Sequence, residues 1–232
     1  MTQKRYTPAA NARDNKKEMW KLTQKQWLIY YWVLAHSYWN PDENHYYIYK
    51  EKMPSGLIQK EVGTTAPTIR SAIAKFLELG IFEQHPMIDS AYILTRPAIY
   101  TSLDTNILRF CLAFHEYFGS DLVTFYAILR RLFIIQKEVK FNLSEFAMLM
   151  GCLKQNVDKQ KVHLMLAICR SVGLISVEEK YHNNSLGQQV NTFIVTDVKD
   201  TATIQVLACC GEDDVDAAAV QKMYELITME NS

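Results

Sequence analysis

The residues best suited to chemistry in this sequence lie in two short polar stretches and one polar turn. Lys154, Gln155, Asn156, Lys159, Gln160 and Lys161 follow one another with only Val157 and Asp158 between them. Side-chain amides match the donor and acceptor edge of adenine, and Lys reaches guanine or a phosphate. Thr64, Thr65, Thr68, Arg70, Ser71 and Lys75 make a second set, in which hydroxyls and two cations suit phosphate oxygens. His182, Asn183 and Asn184 add a polar cluster in the turn-rich segment His182 to Gly187. Contact with duplex DNA is the chemistry that these three groups share.

Catalytic patterns are missing by comparison. There is no Gly-x-x-x-x-Gly-Lys-Ser/Thr loop to cradle ATP phosphates, no His-x-His cluster of a metal-dependent nicking enzyme, and no nucleophile elbow. Cys111 and His115 stand at i and i+4 and could share a metal, but two ligands do not make a zinc site. Cys209 and Cys210 read as buried thiols. The five cysteines are odd in number and lack any Cys-x-x-Cys spacing, which fits a reducing cytoplasm better than a disulfide framework. The expectation is a cytoplasmic protein without cofactor, metal or enzymatic activity.

Net charge is zero over 232 residues, which disfavours a protein that coats DNA without regard to sequence. The charge is unevenly spread. Residues 1–20 hold five cations against two acids, and residues 212–232 hold six acids against Lys222. From Arg130 to Arg170 there are eight Lys and Arg against Glu138, Glu145 and Asp158, a local excess of +5. Apolar residues make up 49% of the chain, enough to bury sizeable cores. The longest apolar run, Trp27 to Ala35, is far short of the roughly 20 residues that span a bilayer, and the charged N-terminus carries no secretory pattern.

These polar sets need elements to hold them. Ile69, Ala72, Ile73, Phe76 and Leu77 form one apolar stripe at helical spacing, and the Thr64–Lys75 set lies off it. Leu57 to Val62 makes a short helix ended by Gly63, Thr65 caps the next helix with Pro67 in its first turn, and Gly80 stops it. Ile81 to Gln84 and Tyr92 to Leu94 then pair across His85 to Ala91. Upstream, Thr23-x-x-Gln26 is a capping box for a helix through Leu34 that is apolar nearly all round, and Tyr46 to Tyr49 is a short aromatic strand. The order helix, strand, helix, helix, hairpin is that of a helix-turn-helix with a wing.

The order recurs. Leu122 to Phe133 forms a long helix, Val139 to Leu143 a strand, and Ser144 caps a short helix ending at Gly151. Leu153, Val157, Leu164, Ile168 and Val172 mark a longer helix stopped at Gly173. Leu174 to Glu179 and Val190 to Val195 flank the His182–Gly187 turn as a second wing. The expected fold is mainly α with small β wings (α+β), as two tandem winged-helix domains at 20–99 and 119–199. Residues 1–19 are expected as a flexible basic arm and 100–118 as a linker helix carrying Ile107, Phe110, Cys111, Phe114, Tyr117 and Phe118. Residues 200–232 form an acidic segment whose helix carries Val215, Ala218, Ala219, Lys222, Met223 and Leu226 behind the capping acids Asp213 and Asp214.

Residues 20–84 resemble the N-terminal winged helix of plasmid and phage replication initiators. The likeness rests on Leu22-Thr23, Leu28-Ile29-Tyr30-Tyr31, the loop Trp39-Asn40-Pro41-Asp42-Glu43, the strand Tyr46-Tyr47-Ile48-Tyr49, and the ending from Phe76 to Glu83. The two-domain plan is also similar to initiators built from tandem winged helices that bind repeated origin sequences, although those tend to be basic. The resemblance implies a replication initiator of a plasmid, phage or mobile element. It would bind double-stranded DNA as a homodimer or pseudo-dimer, with host replication proteins as further partners and with no membrane. A transcriptional repressor, or a winged-helix assembly module without nucleic acid, are the other functions compatible with the sequence.

Overall fold

In the computed structural model the described residues are 6–10, 22–95, 100–150, 156–183, 186–187, 189–210 and 216–230. The chain is mixed α+β, its strands all antiparallel, and it divides into two compact units, Met1–Val123 and Thr124–Ser232. Among the described residues no helix is long and apolar enough to cross a membrane.

Unit 1 begins with strand β1 (Tyr6–Ala10) and the central helix α1 (Gln24–His36). The capping box forms as the sequence requires: the Thr23 hydroxyl accepts from the Gln26 amide and the Gln26 side chain accepts from the Thr23 amide. Nine consecutive residues of α1, Trp27 to Ala35, are buried, so other elements pack around its whole circumference. Strands β2 (Tyr38–Asn40) and β3 (His45–Tyr49) follow, then a 3-10 turn at Lys50–Lys52 and helices α2 (Ser55–Val62) and α3 (Ala66–Glu78). Strands β4 (Phe82–Gln84) and β5 (Ala91–Leu94) close a four-stranded sheet of order β2-β3-β5-β4. Phe76 of α3 joins helix to sheet, its ring 6.2 Å from Tyr30 and 5.0 Å from Phe82.

Three features of unit 1 differ from the sequence expectation. Tyr6–Ala10, expected as part of a flexible arm, pairs along its length with β6 (Tyr100–Asp104), which itself was expected to be helical. The helix starts only afterwards because the Asp104 carboxylate accepts from the Asn106 amide at 2.8 Å and caps α4 (Thr105–Ala113). That helix breaks at Phe114 before α5 (His115–Phe118). The apolar stripe runs on through the break, with Phe114 5.2 Å from Phe110 and 6.3 Å from Phe118, so periodicity alone cannot reveal it. The third difference is β2, which pairs with β3 across a turn in which Asn44 takes a positive φ of 55°.

Helix α6 (Asp121–Gln136) spans the division and leads into unit 2: β7 (Val139–Phe141), α7 (Leu143–Leu149), α8 (Asn156–Ser171), β8 (Ile175–Asn183) and β9 (Gln189–Val198). The sheet order is β7-β9-β8. Phe146 fills the core against Phe125 at 4.9 Å and Phe141 at 4.6 Å. The hairpin is longer than expected, because strand pairing runs through to Asn183 and Gln189.

Two more helices, α9 (Ile204–Cys209) and α10 (Ala217–Glu230), complete the unit, and α10 packs against α8. The cap of α10 is Asp216, whose carboxylate accepts from the Ala218 and Ala219 amides at 3.0 and 3.1 Å. Asp213, Asp214 and Val215 lie outside the described residues. The buried face of α10 is Val220 and Ile227, and Leu226, part of the stripe read from the sequence, is 52% exposed.

Candidate nucleic-acid interface

In unit 1 the sequence fixes the turn between α2 and α3 through Gly63, which ends α2 in the left-handed conformation (φ 54°), and Thr65, which caps α3. The Thr65 hydroxyl accepts from the Thr68 amide and lies 2.9 Å from the Thr68 hydroxyl. Both hydroxyls therefore serve the helix start first and have less capacity left for a ligand. Helix α2 is held to α1 by the Trp32 indole N–H, which donates to the Glu61 carboxylate, and by Lys25, whose ammonium donates to the Gly63 carbonyl at 2.7 Å.

The outward side of α3 carries Arg70 and Ser71, both exposed, while Thr64, Thr68 and Lys75 are half-buried. Lys75 pairs with Glu78 at 2.6 Å, whereas Arg70 makes no ion pair among the described residues. The opposite face, Ile69, Ala72 and Phe76, is buried. Ile73 and Leu77 sit at the edge of the stripe, Leu77 with 40% of its surface exposed. The β4–β5 hairpin of unit 1 is short and pinned at its turn, where the Lys50 ammonium donates to the Gln84 side chain and to the Asp89 carbonyl.

In unit 2 the short helix α7 starts at a second capping box, Asn142 with Glu145. Lys154 and Gln155 lie outside the described residues, as do Gly151 and Asn184. Asn156 opens α8. Further along α8, Gln160 is exposed and Lys159 and Lys161 are half-buried, opposite the buried Val162, Met165, Leu166, Ile168 and Cys169. His182 and Asn183 are exposed near the end of β8, with the Thr192 hydroxyl 3.5 Å from His182 Nδ1.

The basic excess between 130 and 170 is partly engaged by partners within the chain. Arg130 donates to the Val198 and Lys199 carbonyls, each at 3.1 Å, Lys140 pairs with Glu138 at 2.7 Å, and Arg170 borders a cleft of about 490 Å³ that also holds Glu179 and Glu230. Along the β8–β9 hairpin, Glu179 accepts from the Asn191 amide and the Tyr181 hydroxyl, which holds the phenol above its usual pKa. Sequence reasoning missed the role of Arg130 because its partners lie nearly seventy positions away.

Of the metal-ligand patterns, Cys111 is buried, and His115 donates from Nδ1 to the Leu112 carbonyl at 3.1 Å. Burial pushes the thiols of Cys169 and Cys209 up, away from the reactive thiolate form. The described side chains that do bring metal-binding donors together are Glu43, His45 and His85, at the unit 1 sheet. Comparison with family models, with curated proteins and with solved structures finds no match to the chain.

Proposed function

We propose that both units are winged helices and that the chain binds duplex DNA sequence-specifically, as a replication initiator of a plasmid, phage or other mobile element. The observation that carries this reading is the repeated element order, helix, strand, helix, helix, hairpin, with the equivalent strand order β3-β5-β4 and β7-β9-β8 in the two units. In each, the outward side of the second helix of the pair is polar. That is the geometry in which a helix enters the major groove while the hairpin follows the backbone. A cytoplasmic setting, a homodimer or pseudo-dimer on DNA, and a host replication partner belong to the same proposal, with a repressor as the nearest variant.

A scaffold without nucleic acid is favoured by a different observation. Ile134, Ile135, Met148 and Leu149 leave apolar side chains exposed on α6 and α7, and several surface cations are already ion-paired.

Selection of bound fragments from a random duplex library, followed by titration over a salt series, separates the two. An enriched sequence and an affinity that falls with salt are expected. Replacing Lys154, Lys159 and Lys161 by Ala should lower the salt slope by about one unit per lost contact, and more than replacing Arg70 and Lys75. Gln155→Ala or Asn156→Ala should relax the sequence preference. No enrichment, together with equal affinities for the triple variant and the parent, would sink DNA binding and leave the scaffold.

A further inference from the structure

One cluster of titratable side chains lies outside the residues proposed to contact DNA. Glu43 lies in the turn between β2 and β3, His45 is the first residue of β3, and His85 follows β4 directly. Glu43 Oε2 is 3.1 Å from His45 Nε2 and 3.5 Å from His85 Nε2, and the three donor atoms all lie within 4.8 Å of one another. A tetrahedral ion with bonds of about 2.0–2.2 Å keeps its nitrogen and oxygen ligands about 3.4 Å apart. The two Glu43 spacings lie close to that separation, the two imidazole nitrogens lie within 4.8 Å of each other, and the half-exposed His45 has room to adjust.

The cluster is also built in advance of any ligand. His85 is 5% exposed, with its ring 6.4 Å from the buried Tyr47, so one imidazole is held in place by packing. Asn44, in the left-handed conformation, separates Glu43 from His45 in the turn.

We propose that Glu43, His45 and His85 form a site for a divalent cation of borderline softness, zinc foremost, with water completing the coordination. Two imidazoles and one carboxylate are the donor set that such ions prefer over magnesium or calcium, which take oxygen ligands. The proposal stands independently of DNA binding.

A structural consequence follows from the second nitrogen of His85. The Met87 amide donates to His85 Nδ1 at 3.1 Å, so the neutral ring carries its proton on Nε2, facing Glu43. A metal bound at Nε2 requires that proton to leave to solvent and Nδ1 to take one up. The ring keeps one proton overall, and the Met87 N–H loses its acceptor. Occupancy of the site is thereby coupled to the turn at the tip of the β4–β5 hairpin, where the Met87 side chain is 86% exposed.

The test uses the full chain stripped with a chelator and titrated with zinc chloride by calorimetry, with cobalt(II) absorption as a second readout. One equivalent should bind. Glu43→Gln and His45→Gln should each weaken binding by at least about tenfold, whereas His182→Gln in unit 2 should not. In nitrogen-detected NMR, zinc should move the His85 proton to Nδ1 and shift the Met87 amide. His85→Gln is informative only if circular dichroism shows the native fold, and otherwise His45→Gln decides. Absence of saturable binding, equal affinity for His45→Gln and the parent, or a bound state in which Met87 still donates to His85 Nδ1 would overturn the site.

Discussion

The two helix pairs share an order of elements and differ in what their surfaces offer. In unit 1 the Thr65 hydroxyl caps α3 with the Thr68 hydroxyl against it, Lys75 is paired with Glu78, and the hairpin strands are three and four residues long. In unit 2 the polar start of α8 carries Lys159, Gln160 and Lys161, and the hairpin strands are nine and ten residues long. The core positions behave alike: Phe76 and Phe146 each close the space between helices and sheet with aromatic contacts at about 5 Å. Aromatic packing between helices and sheet is thus compatible with different surface chemistry in the two units.

The largest effect that bears on this comparison is loss of a core ring. All four tryptophans, Trp20, Trp27, Trp32 and Trp39, belong to unit 1, so tryptophan fluorescence follows that unit while circular dichroism follows both. Phe76→Ala should cost about 3–5 kcal/mol and move the fluorescence transition in urea to lower denaturant. Phe146→Ala should cost a similar amount, visible by dichroism, and leave the fluorescence midpoint in place. A shift of both signals by either variant would break the division into two units.

Legibility in the sequence followed the range of the interactions. The caps at Thr23 and Thr65, the glycine stop at Gly63 and the buried stripe Ile69, Ala72 and Phe76 depend on neighbours within a turn or two, and each could be read from spacing. The pairing of Tyr6–Ala10 with Tyr100–Asp104 could not, because its register joins residues about ninety positions apart and neither strand alternates in polarity. The same holds for Arg130, whose formal charge reads as surface and whose guanidinium serves two carbonyls of the 198–199 segment. The cluster at Glu43, His45 and His85 left only a faint signal, a His two residues after a Glu, since its third member follows β4, forty positions further on.

A smaller effect sharpens the comparison at the glycines that end helices. A residue with a side chain in the left-handed region costs about 1–2 kcal/mol relative to glycine. Gly63→Ala also places a methyl group 3.0 Å from His115 Nε2, whereas at Gly173, with φ 69°, the nearest atom is Thr203 Cγ2 at 3.9 Å. Gly63→Ala should therefore lower the melting temperature more than Gly173→Ala. Equal losses, measured by calorimetry, would mean that His115 gives way without cost and that the two turns are equally open.

The smallest effect concerns the same histidine and its pH dependence. His115 Nδ1 donates to the Leu112 carbonyl, while Nε2 is buried without a hydrogen-bond partner among the described residues. Burial lowers the imidazole pKa, and the Lys25 charge adds to this, against the opposing pull of the Leu112 carbonyl and Glu116. In the unfolded chain the ring titrates near its ordinary value of about 6.5. Between the two values the unfolded state binds more protons than the folded one, so this contribution to stability is complete above about pH 6.5 and is lost as the pH falls through the folded value. The urea midpoint reported by tryptophan fluorescence should therefore drop as the pH is lowered from about 8 to about 5, and His115→Gln should make that drop shallower. The dichroism change that Phe146→Ala assigns to unit 2 supplies the control, since His115→Gln should leave its pH dependence unaltered. An identical fluorescence profile for His115→Gln and the parent would show that the buried ring is protonated without penalty, and that the contact between Gly63 and His115 opens before the unit unfolds.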